Sequence, residues 1–395
     1  MQKVVVLGVG MTRFGKYPER SLKELAREAL HGALTDAGIS LSQIEAAYVG
    51  NAVAGIITGQ ECIRGQVMLS GTGLEGIPMF NVENACASGS SAFHMAWLAV
   101  ASGMYDVVLA LGAEKMIHPE RTRAFQALKG AADVEELDKF PGGGKDRDNQ
   151  SLFMDYYALE ARKHMERYGT SIETFAKIAV KNSRNGSLNP NAQYQKQQTL
   201  EDVLGSRIIS DPLRLLMCSP LSDGAAAAIL CSEKISRQLT NHPVFVASSV
   251  VYSSNPCGDA GPSNTERAAA KAYALAGIEP SDVQVAEVHD AAAPGELWAY
   301  EHLGFCAPGD GARLVESGAT EIGGRIPINP SGGLIAKGHP VGATGIAQIA
   351  EIVWQLRGEA GKRQIPGQAR IGLAHNAGGF LNGESAVVAI HILTR

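Results

Sequence analysis

The sequence predicts an α/β protein made of two similar halves, with central helices packed between their sheets. Three observations point there. The chain opens on the apolar strand Val4–Gly10, a one-sided helix Ser21–Ala37 and a second strand Ile44–Val49, the β-α-β succession of a sheet with crossover helices. The segment Ala33-Leu34-Thr35-Asp36-Ala37-Gly38-Ile39-Ser40-Leu41-Ser42-Gln43-Ile44 recurs as Ala272-Tyr273-Ala274-Leu275-Ala276-Gly277-Ile278-Glu279-Pro280-Ser281-Asp282-Val283. Each copy reads as a helix tail, a glycine cap, a short turn and a strand. Each half also sets a chemically capable residue in a tight turn before an apolar helix: Cys86 in the first, His339 in the second.

The bulk properties agree and exclude several functions. A chain of 395 residues exceeds one ordinary core. Its 45 glycines stand well above the usual ~7% without a collagen period, so many close backbone approaches are expected. The net charge of -5 favours neither nucleic acid nor an anionic membrane. Six cysteines (Cys62, Cys86, Cys218, Cys231, Cys257 and Cys306) form no CxxC pair and no disulfide framework, which suits a reducing compartment. The first strand begins at once, without the basic region and apolar core of a signal peptide. No stretch approaches the ~20 apolar residues of a membrane span. A cytoplasmic, oligomeric protein is expected.

In chain order, the helix Ser21–Ala37 buries Leu22, Leu25, Ala29, Leu30 and Ala33 on one face and stops at Gly38. Gly8-Val9-Gly10 lacks the third glycine of a dinucleotide turn, since position 13 is Arg. The Cys86 turn opens a small-residue helix to Val100, and Val107–Leu111 is the next strand. Charges then cluster from His118 to Tyr194, with an exposed loop at Pro141-Gly142-Gly143-Gly144-Lys145-Asp146 and helices at Phe153–Tyr168 and Ser171–Asn182. Residues 116–205 therefore read as an inserted, mostly helical unit. Residues 1–115 and 206–245, with strands Ala225–Leu230 and Val244–Ser249, form the first half. Residues 246–395 form the second, with strand Val283–Val288, helix Ile346–Leu356, and strands Ala369–Ala374 and Ser385–Ile392.

Four turns should meet where open α/β sheets carry their chemistry, those of Cys86, His289, His339 and His375. Cys86, at the start of a helix, faces free N–H groups and the positive end of the dipole, which favour a thiolate. His339, framed by Gly338 and Pro340, is held in a turn with little side-chain company and can act as the base of a Cys–His pair. Asn84 reads as a backbone brace. His289 precedes Asp290, which can fix its tautomer. His375 leads into a glycine turn, where Ala377, Gly378 and Gly379 offer N–H groups to an oxyanion. Cys218 rivals Cys86 but lacks a helix start. His31, His94, His164, His242, His302 and His391 read as structural, in helices or at the surface, and His118 stays open. Single histidines scattered along the chain and one cysteine give poor support for zinc, so no metal is expected.

These residues resemble those of the thiolase superfamily over essentially the whole chain. Asn84-Ala85-Cys86-Ala87-Ser88-Gly89 is similar to its nucleophile segment, and Leu221-Ser222-Asp223-Gly224-Ala225-Ala226 to a segment near the pantetheine channel. Asn329-Pro330-Ser331-Gly332-Gly333 and Gly338-His339-Pro340-Val341-Gly342-Ala343-Thr344-Gly345 resemble its diagnostic motif. The resemblance implies two αβα halves stacked in five layers, αβαβα, with a helical loop domain, assembled as a homodimer or homotetramer. It implies an acyl-CoA C-acyltransferase, an acetyl-CoA acetyltransferase or 3-ketoacyl-CoA thiolase, with coenzyme A as substrate or product and no tightly bound cofactor. Cys86 would take the acyl group, His339 would be its base, and His289 would hold a water or donor at one oxyanion hole. The N–H groups of Cys86 and Ala377 would line another. Ser222, Ser331, Gly332, Gly333 and Ala377 would lie along the coenzyme A site.

His289-Asp290 and His375-Asn376 resemble the sterol-carrier-protein branch and its bacterial and archaeal relatives, which can work with a small zinc-ribbon/OB-fold partner. Ala291 and Ala292 depart from that branch, which has Cys and Phe there. With no second cysteine in either motif, His375 is the natural substitute at the substrate α-carbon. Transfer to an acceptor other than coenzyme A is the alternative reading. No fused lipid-carrier domain is expected, so a partner would be a separate chain.

Overall fold

The β-sheet carries the duplication in its strand order. A computed structural model describes residues 2–140, 151–240, 242–255 and 261–395. The expected loop at Pro141–Asp146 and Cys257 lie outside the described residues. Strands β1 (Val4–Met11), β2 (Ala46–Gly50), β3 (Met79–Val82) and β4 (Val107–Glu114) come first. The two-stranded ladder of β5 (Ile208–Ser210) and β6 (Leu213–Arg214) stands apart. Then follow β7 (Gly224–Ser232), β8 (Val244–Ser253), β9 (Val285–Glu287), β10 (Ile371–Leu381) and β11 (Glu384–Thr394). Nine of these form one sheet, β3-β2-β4-β7-β1-β8-β11-β10-β9.

The seam of that sheet is the pairing of β1 with β8, Val5 with Phe245 and Val6 with Val244. Outward from it, β1-β7-β4-β2-β3 is answered by β8-β11-β10-β9, with antiparallel, antiparallel and parallel pairings in the same succession. The place of β3 is taken by Ile328, a parallel bridge to Ala286. The recurring segment sits at equivalent places. Helix α1 (Leu22–Ala37), started by a capping box of Ser21 and Glu24, ends at Gly38 with φ 65°. Downstream, α10 (Asn264–Ala276) ends at Gly277 with φ 68°. A 3₁₀ turn and a strand follow each.

Five layers result. Helices α1 and α3 (Arg64–Leu69) cover the outer face of the first half, with Leu25, Ala29 and Leu69 against Val5, Leu7, Leu109 and Ile229. Helices α4 (Ser88–Ala101) and α14 (Thr344–Arg357) fill the middle, where Phe93, Ala96, Ile346 and Ile349 meet Val6, Ala228, Val285 and Ala374. On the far side α10 and α11 (Ala293–His302) pack Ala268, Ala272 and Tyr300 on Val250, Val288 and Ile390. Between and beyond these lie α2 (Ala54–Thr58), α5 (Thr122–Lys129), α6 (Leu152–Tyr168), α7 (Ile172–Ser187), α8 (Leu200–Gly205), α9 (Glu233–Leu239), α12 (Gly311–Glu316) and α13 (Gly333–Lys337). Among the described residues, no helix is long and apolar enough to cross a membrane.

The small residues at the starts of the two central helices explain how their turns meet. A Cβ on Gly345 would lie 2.1 Å from Ser90 Oγ, and one on Gly89 2.7 Å from the Gly342 carbonyl. Side chains there would hold the Cys86 and His339 turns apart.

Two expectations need correction. His375 to Gly379 is not a turn: β10 runs on to Leu381, because every residue from Ile371 to Gly378 finds a partner on β11. His391 lies neither in a helix nor at the surface. It is buried on β11, bonded through Nδ1 to Ser249 Oγ at 2.9 Å and edge-on to Phe93.

Candidate active site

Cys86 sits in a single 3₁₀ turn, Ala85–Ala87, directly before α4. Ala85 enters that turn with φ 48°, a left-handed conformation that costs a non-glycine residue roughly 1–2 kcal/mol. Small polar side chains hold it there. The Asn84 N–H donates to Ser88 Oγ (2.9 Å), Ser88 Oγ–H to the Ala85 carbonyl (2.6 Å), and Asn84 Nδ2 to Ser91 Oγ (2.8 Å). Asn84 is thus the brace expected from its position. Gly378 on β10 presses against the turn, and a Cβ there would sit 2.2 Å from the Asn84 carbonyl.

The electrostatics of Cys86 differ from those of a free helix start. N–H groups of Gly379 and of Cys86 itself lower the thiol pKa, but loss of water around the sulfur and then the charge of Glu114 outweigh them. The thiol is pushed up to about 12. A resting thiolate, favoured by the helix-start argument, is therefore not formed.

His339 is fixed by its neighbours on both sides. Its backbone N–H donates to Ser222 Oγ at 3.0 Å, and that hydroxyl donates to Gln193 Oε1 at 2.7 Å. Nδ1 lies 2.7 Å from Thr344 Oγ1, whose own proton goes to the Pro340 carbonyl at 3.0 Å. Thr344 has one proton to give, so Nδ1 must donate and the lone pair stands on Nε2. Nε2 is buried with no protein partner. Burial, helped by the Lys337 charge, holds the pKa down to about 3, so the imidazole is neutral at rest.

His289 follows β9, and its N–H donates to Nδ1 of His375 at 3.4 Å. His289 Nδ1 meets Asn376 Nδ2 at 3.3 Å. Its ring stands edge-on to that of His339, with centroids 5.2 Å apart. Burial and then His339 hold His289 well below the usual histidine range, and burial and then His289 hold His375 down to about 3. Asp290 does not fix the His289 tautomer as its place in the sequence suggests. It accepts instead from the Leu334 N–H (2.6 Å) and Asn182 Nδ2 (2.8 Å), and Asn376 takes the histidine. Ring nitrogens of His289 and His339 and the sulfur of Cys86 all lie within 4.8 Å of one another.

Residues 4–234 match the model of the thiolase N-terminal domain, and residues 250–391 that described as thiolase C-terminal domain-like. The chain belongs to the thiolase family. It is an acyltransferase of the thiolase type, with coenzyme A as substrate or product rather than as a resident cofactor. The acetyl-CoA acetyltransferase of Methanothermobacter thermautotrophicus is 43% identical over 404 residues, covering 100% of both chains. Sterol carrier protein 2 of Bos taurus is 41% identical over 400 residues, covering 95% of this chain and 70% of its own. Among solved structures, the Ltp2-ChsH2(DUF35) aldolase superposes with a TM-score of 0.82 at 27% identity, covering 99% of this chain and 97% of that one. Human mitochondrial 3-ketoacyl-CoA thiolase shares the fold, with a TM-score of 0.71 at 19% identity over 100% of this chain and 98% of that one.

In this thiolase the other residues expected along the coenzyme A site are placed differently from one another. Ser331 is fully buried, and its N–H (3.1 Å) and Oγ (2.6 Å) both donate to Glu287. Gly332 and Gly333 adopt left-handed φ of 99° and 60°, and a Cβ on Gly333 would fall 2.1 Å from Asp290 Oδ2. These three shape a buried turn. Ser222 is equally buried and holds the His339 turn. Ala377, opposite Val388 on β10, stays partly exposed. Cys218 forms an isolated bridge with Ala292, beside the positions where the branch carries Cys and Phe, but its Sγ–H turns to the Arg214 carbonyl at 3.4 Å.

Sequence reasoning missed Thr344, Gln348, Asn376 and Tyr157. The first three show only as single polar residues; Thr344 and Gln348 stand one turn apart in the first half of α14, whose other residues there are apolar. Tyr157 of α6 stacks on Trp298 with centroids 5.7 Å apart, and a Cβ on Gly295 would lie 3.0 Å from its ring and 3.3 Å from the His289 carbonyl, which brings the 116–205 segment to the site. The fold also gathers one cysteine and two histidines that the sequence scatters. That set suits a soft cation such as Zn²⁺ as well as a nucleophile. A cation would have to compete with the lone pair of His339 as base and with the thiol of Cys86.

Proposed function

We propose that this thiolase is an acyl-CoA C-acyltransferase that works by ping-pong transfer through Cys86. The observation that carries this reading is the closeness of the Cys86 sulfur to a neutral imidazole, His339, whose free lone pair is on Nε2. Nε2 takes the thiol proton as sulfur attacks the acyl carbon. His289, protonated on Nε2, donates to the oxygen that gains charge, and the N–H groups of Cys86 and of Ala377 or Gly379 serve a second oxyanion. In the cleavage direction the bond between the α- and β-carbons of a 3-ketoacyl-CoA breaks and Cys86 keeps the acyl group. The α-carbon takes the proton on His375 Nε2 and leaves as an acyl-CoA. The thiol of free coenzyme A then gives its proton to His375 as it attacks the acyl-enzyme, and His339 returns its proton to the Cys86 sulfur as the shortened acyl-CoA departs. We assign the α-carbon proton to His375, since among the described residues Cys218 is turned away.

Residues 116–205, with Tyr157, would set the size of the acyl pocket. Ser222, Ser331, Gly332 and Gly333 support the site from beneath rather than touching coenzyme A. A homodimer or homotetramer, a cytoplasmic location and a separate zinc-ribbon/OB-fold partner complete the reading. The partner is supported by the likeness to an aldolase whose name joins Ltp2 to ChsH2(DUF35). The second reading, transfer to an acceptor other than coenzyme A, is favoured by Ala291 standing where the branch has its second cysteine.

Incubation with a panel of acyl-CoA and 3-ketoacyl-CoA thioesters, read by intact mass, is expected to show one acyl adduct on Cys86 that free coenzyme A removes. No adduct from any thioester sinks both readings. An adduct that coenzyme A cannot release selects the second. With His375→Ala, acylation from simple acyl-CoA should persist while 3-ketoacyl-CoA cleavage drops by ~10²–10⁴-fold, the usual worth of a general acid or base. Cleavage at the parental rate would remove His375 from the mechanism.

A further inference from the structure

We infer that Gln348 and Asn376 are positioning residues that fix the ring proton of His289 on Nε2, opposite to the assignment Thr344 imposes on His339. The inference rests on the acyl-transfer reading above, and deepens it. The argument begins at a group that cannot change its role. The backbone carbonyl of His375 can only accept, so the Gln348 side-chain atom 3.0 Å away is its Nε2. Gln348 Oε1 then faces Asn376, whose Nδ2 donates to it at 2.9 Å. The second proton on Nδ2 points to His289 Nδ1 at 3.3 Å, which must accept. The ring proton of His289 is left on Nε2.

No other arrangement of these groups keeps every pair matched. Turning the Asn376 amide over would set its Oδ1 against Gln348 Oε1. Turning Gln348 as well would set Oε1 against the His375 carbonyl. Asn376 Oδ1 has no partner, as expected if only the amide nitrogen is in use. Gln348, Asn376, His289 and His375 are all buried, so water cannot repair a mismatch cheaply.

Thr344 and Gln348 are one turn apart on α14, and residues at i and i+4 share a helix face. One helix face therefore gives two neighbouring imidazoles opposite tautomers. His339 presents a lone pair and can take the Cys86 proton. His289 presents an N–H and can donate to the acyl oxygen. Burial keeps both neutral, so the division between acceptor and donor depends on the Thr344 hydroxyl and these amides and not on solution pH.

Protein labelled with ¹⁵N-histidine and studied by two-bond ¹⁵N–¹H correlation tests this, with peaks assigned from single-histidine variants. The wild type should show His289 protonated on Nε2 and His339 on Nδ1. Asn376→Asp places an acceptor opposite Nδ1 and should invert His289 while leaving His339 unchanged. Single-turnover acylation of Cys86 from acyl-CoA should then slow by ~10²–10³-fold, the effect of losing one oxyanion donor, with little change in acyl-CoA affinity. Gln348→Leu, which removes the relay without adding a charge, should give mixed His289 tautomers and a smaller loss of rate. It keeps the test decisive if the aspartate variant does not fold.

His289 remaining on the Nε2 tautomer in both variants overturns the inference, as does inversion with acylation at the parental rate. Failure of the acyl-transfer reading looks different: wild-type Cys86 would take no acyl group whatever the tautomers.

Discussion

Cys86→Ala should abolish the acyl adduct and lower turnover by at least ~10⁴-fold, the scale on which loss of a nucleophile acts in enzymes that work through covalent intermediates. Acyl-CoA should still bind, because the substitution removes one sulfur from a half-buried site and leaves the Asn84, Ser88 and Ser91 bonds that hold the turn. Intact mass and steady-state rates check it; turnover within tenfold of wild type would remove Cys86 from the mechanism. A pH experiment on His339→Ala, which has no imidazole to take the proton during attack, tests the raised thiol. Burial pushes Cys86 up to about 12. A thiol whose pKa is raised loses its proton only as pH climbs towards that value. Alkylation of Cys86 by iodoacetamide in that variant should therefore rise about tenfold per pH unit from 6 to 9, with no plateau. A plateau below pH 8 would mean a thiolate at rest.

The architecture was legible because its signals are local. Gly38 and Gly277 stop helices by a left-handed cap, and strands β1, β4 and β7 are apolar up to their last residues, Glu114 on β4 and Ser232 on β7, because both faces are covered. The gathering of Cys86, His289 and His339 was legible through their turns. What the sequence could not show was the energetic environment of those groups. A helix start lowers a thiol pKa in water, but at Cys86 desolvation is the larger effect, and it depends on packing by residues distant in the chain. Nor could it show which neighbour serves which histidine. Asp290 is adjacent to His289 in sequence yet is claimed by Leu334 and Asn182, while Asn376, 87 positions away, takes Nδ1. Nor could the sequence show that the motif Asn329-Pro330-Ser331-Gly332-Gly333 packs on buried carboxylates, Asn329 on Glu296, Ser331 on Glu287 and Gly333 on Asp290.

That motif leads to the largest stability effect expected. Glu287 ends β9 two residues before His289, and Lys337 ends α13 two residues before His339. Their side chains meet at 2.9 Å, exposed by 0% and 1%, so one buried ion pair ties the two histidine-bearing segments together. Lys337→Met should destabilise the protein by ~3–5 kcal/mol, because it leaves a carboxylate buried without its cation. Its pH dependence gives the sign. Burial already raises the Glu287 pKa above the usual carboxylate range, and Lys337 is the main influence opposing it. A carboxyl whose folded pKa is raised stabilises the fold while protonated, and that contribution fades as pH rises through the folded value. Without Lys337 the folded pKa climbs further. Lys337→Met should then lose most stability at neutral and alkaline pH and recover part of it on acidification, as Glu287 takes a proton. Adding Glu287→Gln removes the charge outright, and the double variant should regain much of the loss and lose the extra pH dependence that Lys337→Met adds to the wild-type profile between 5 and 8. Urea unfolding across that range decides it. A single variant as stable as wild type at pH 8, or a double variant no better than the single, would show that this pair does not hold the two segments. With the pair broken but the fold intact at low pH, the His339 turn should drift from Cys86. Acylation should therefore fall in the single variant even where unfolding shows the chain still folded.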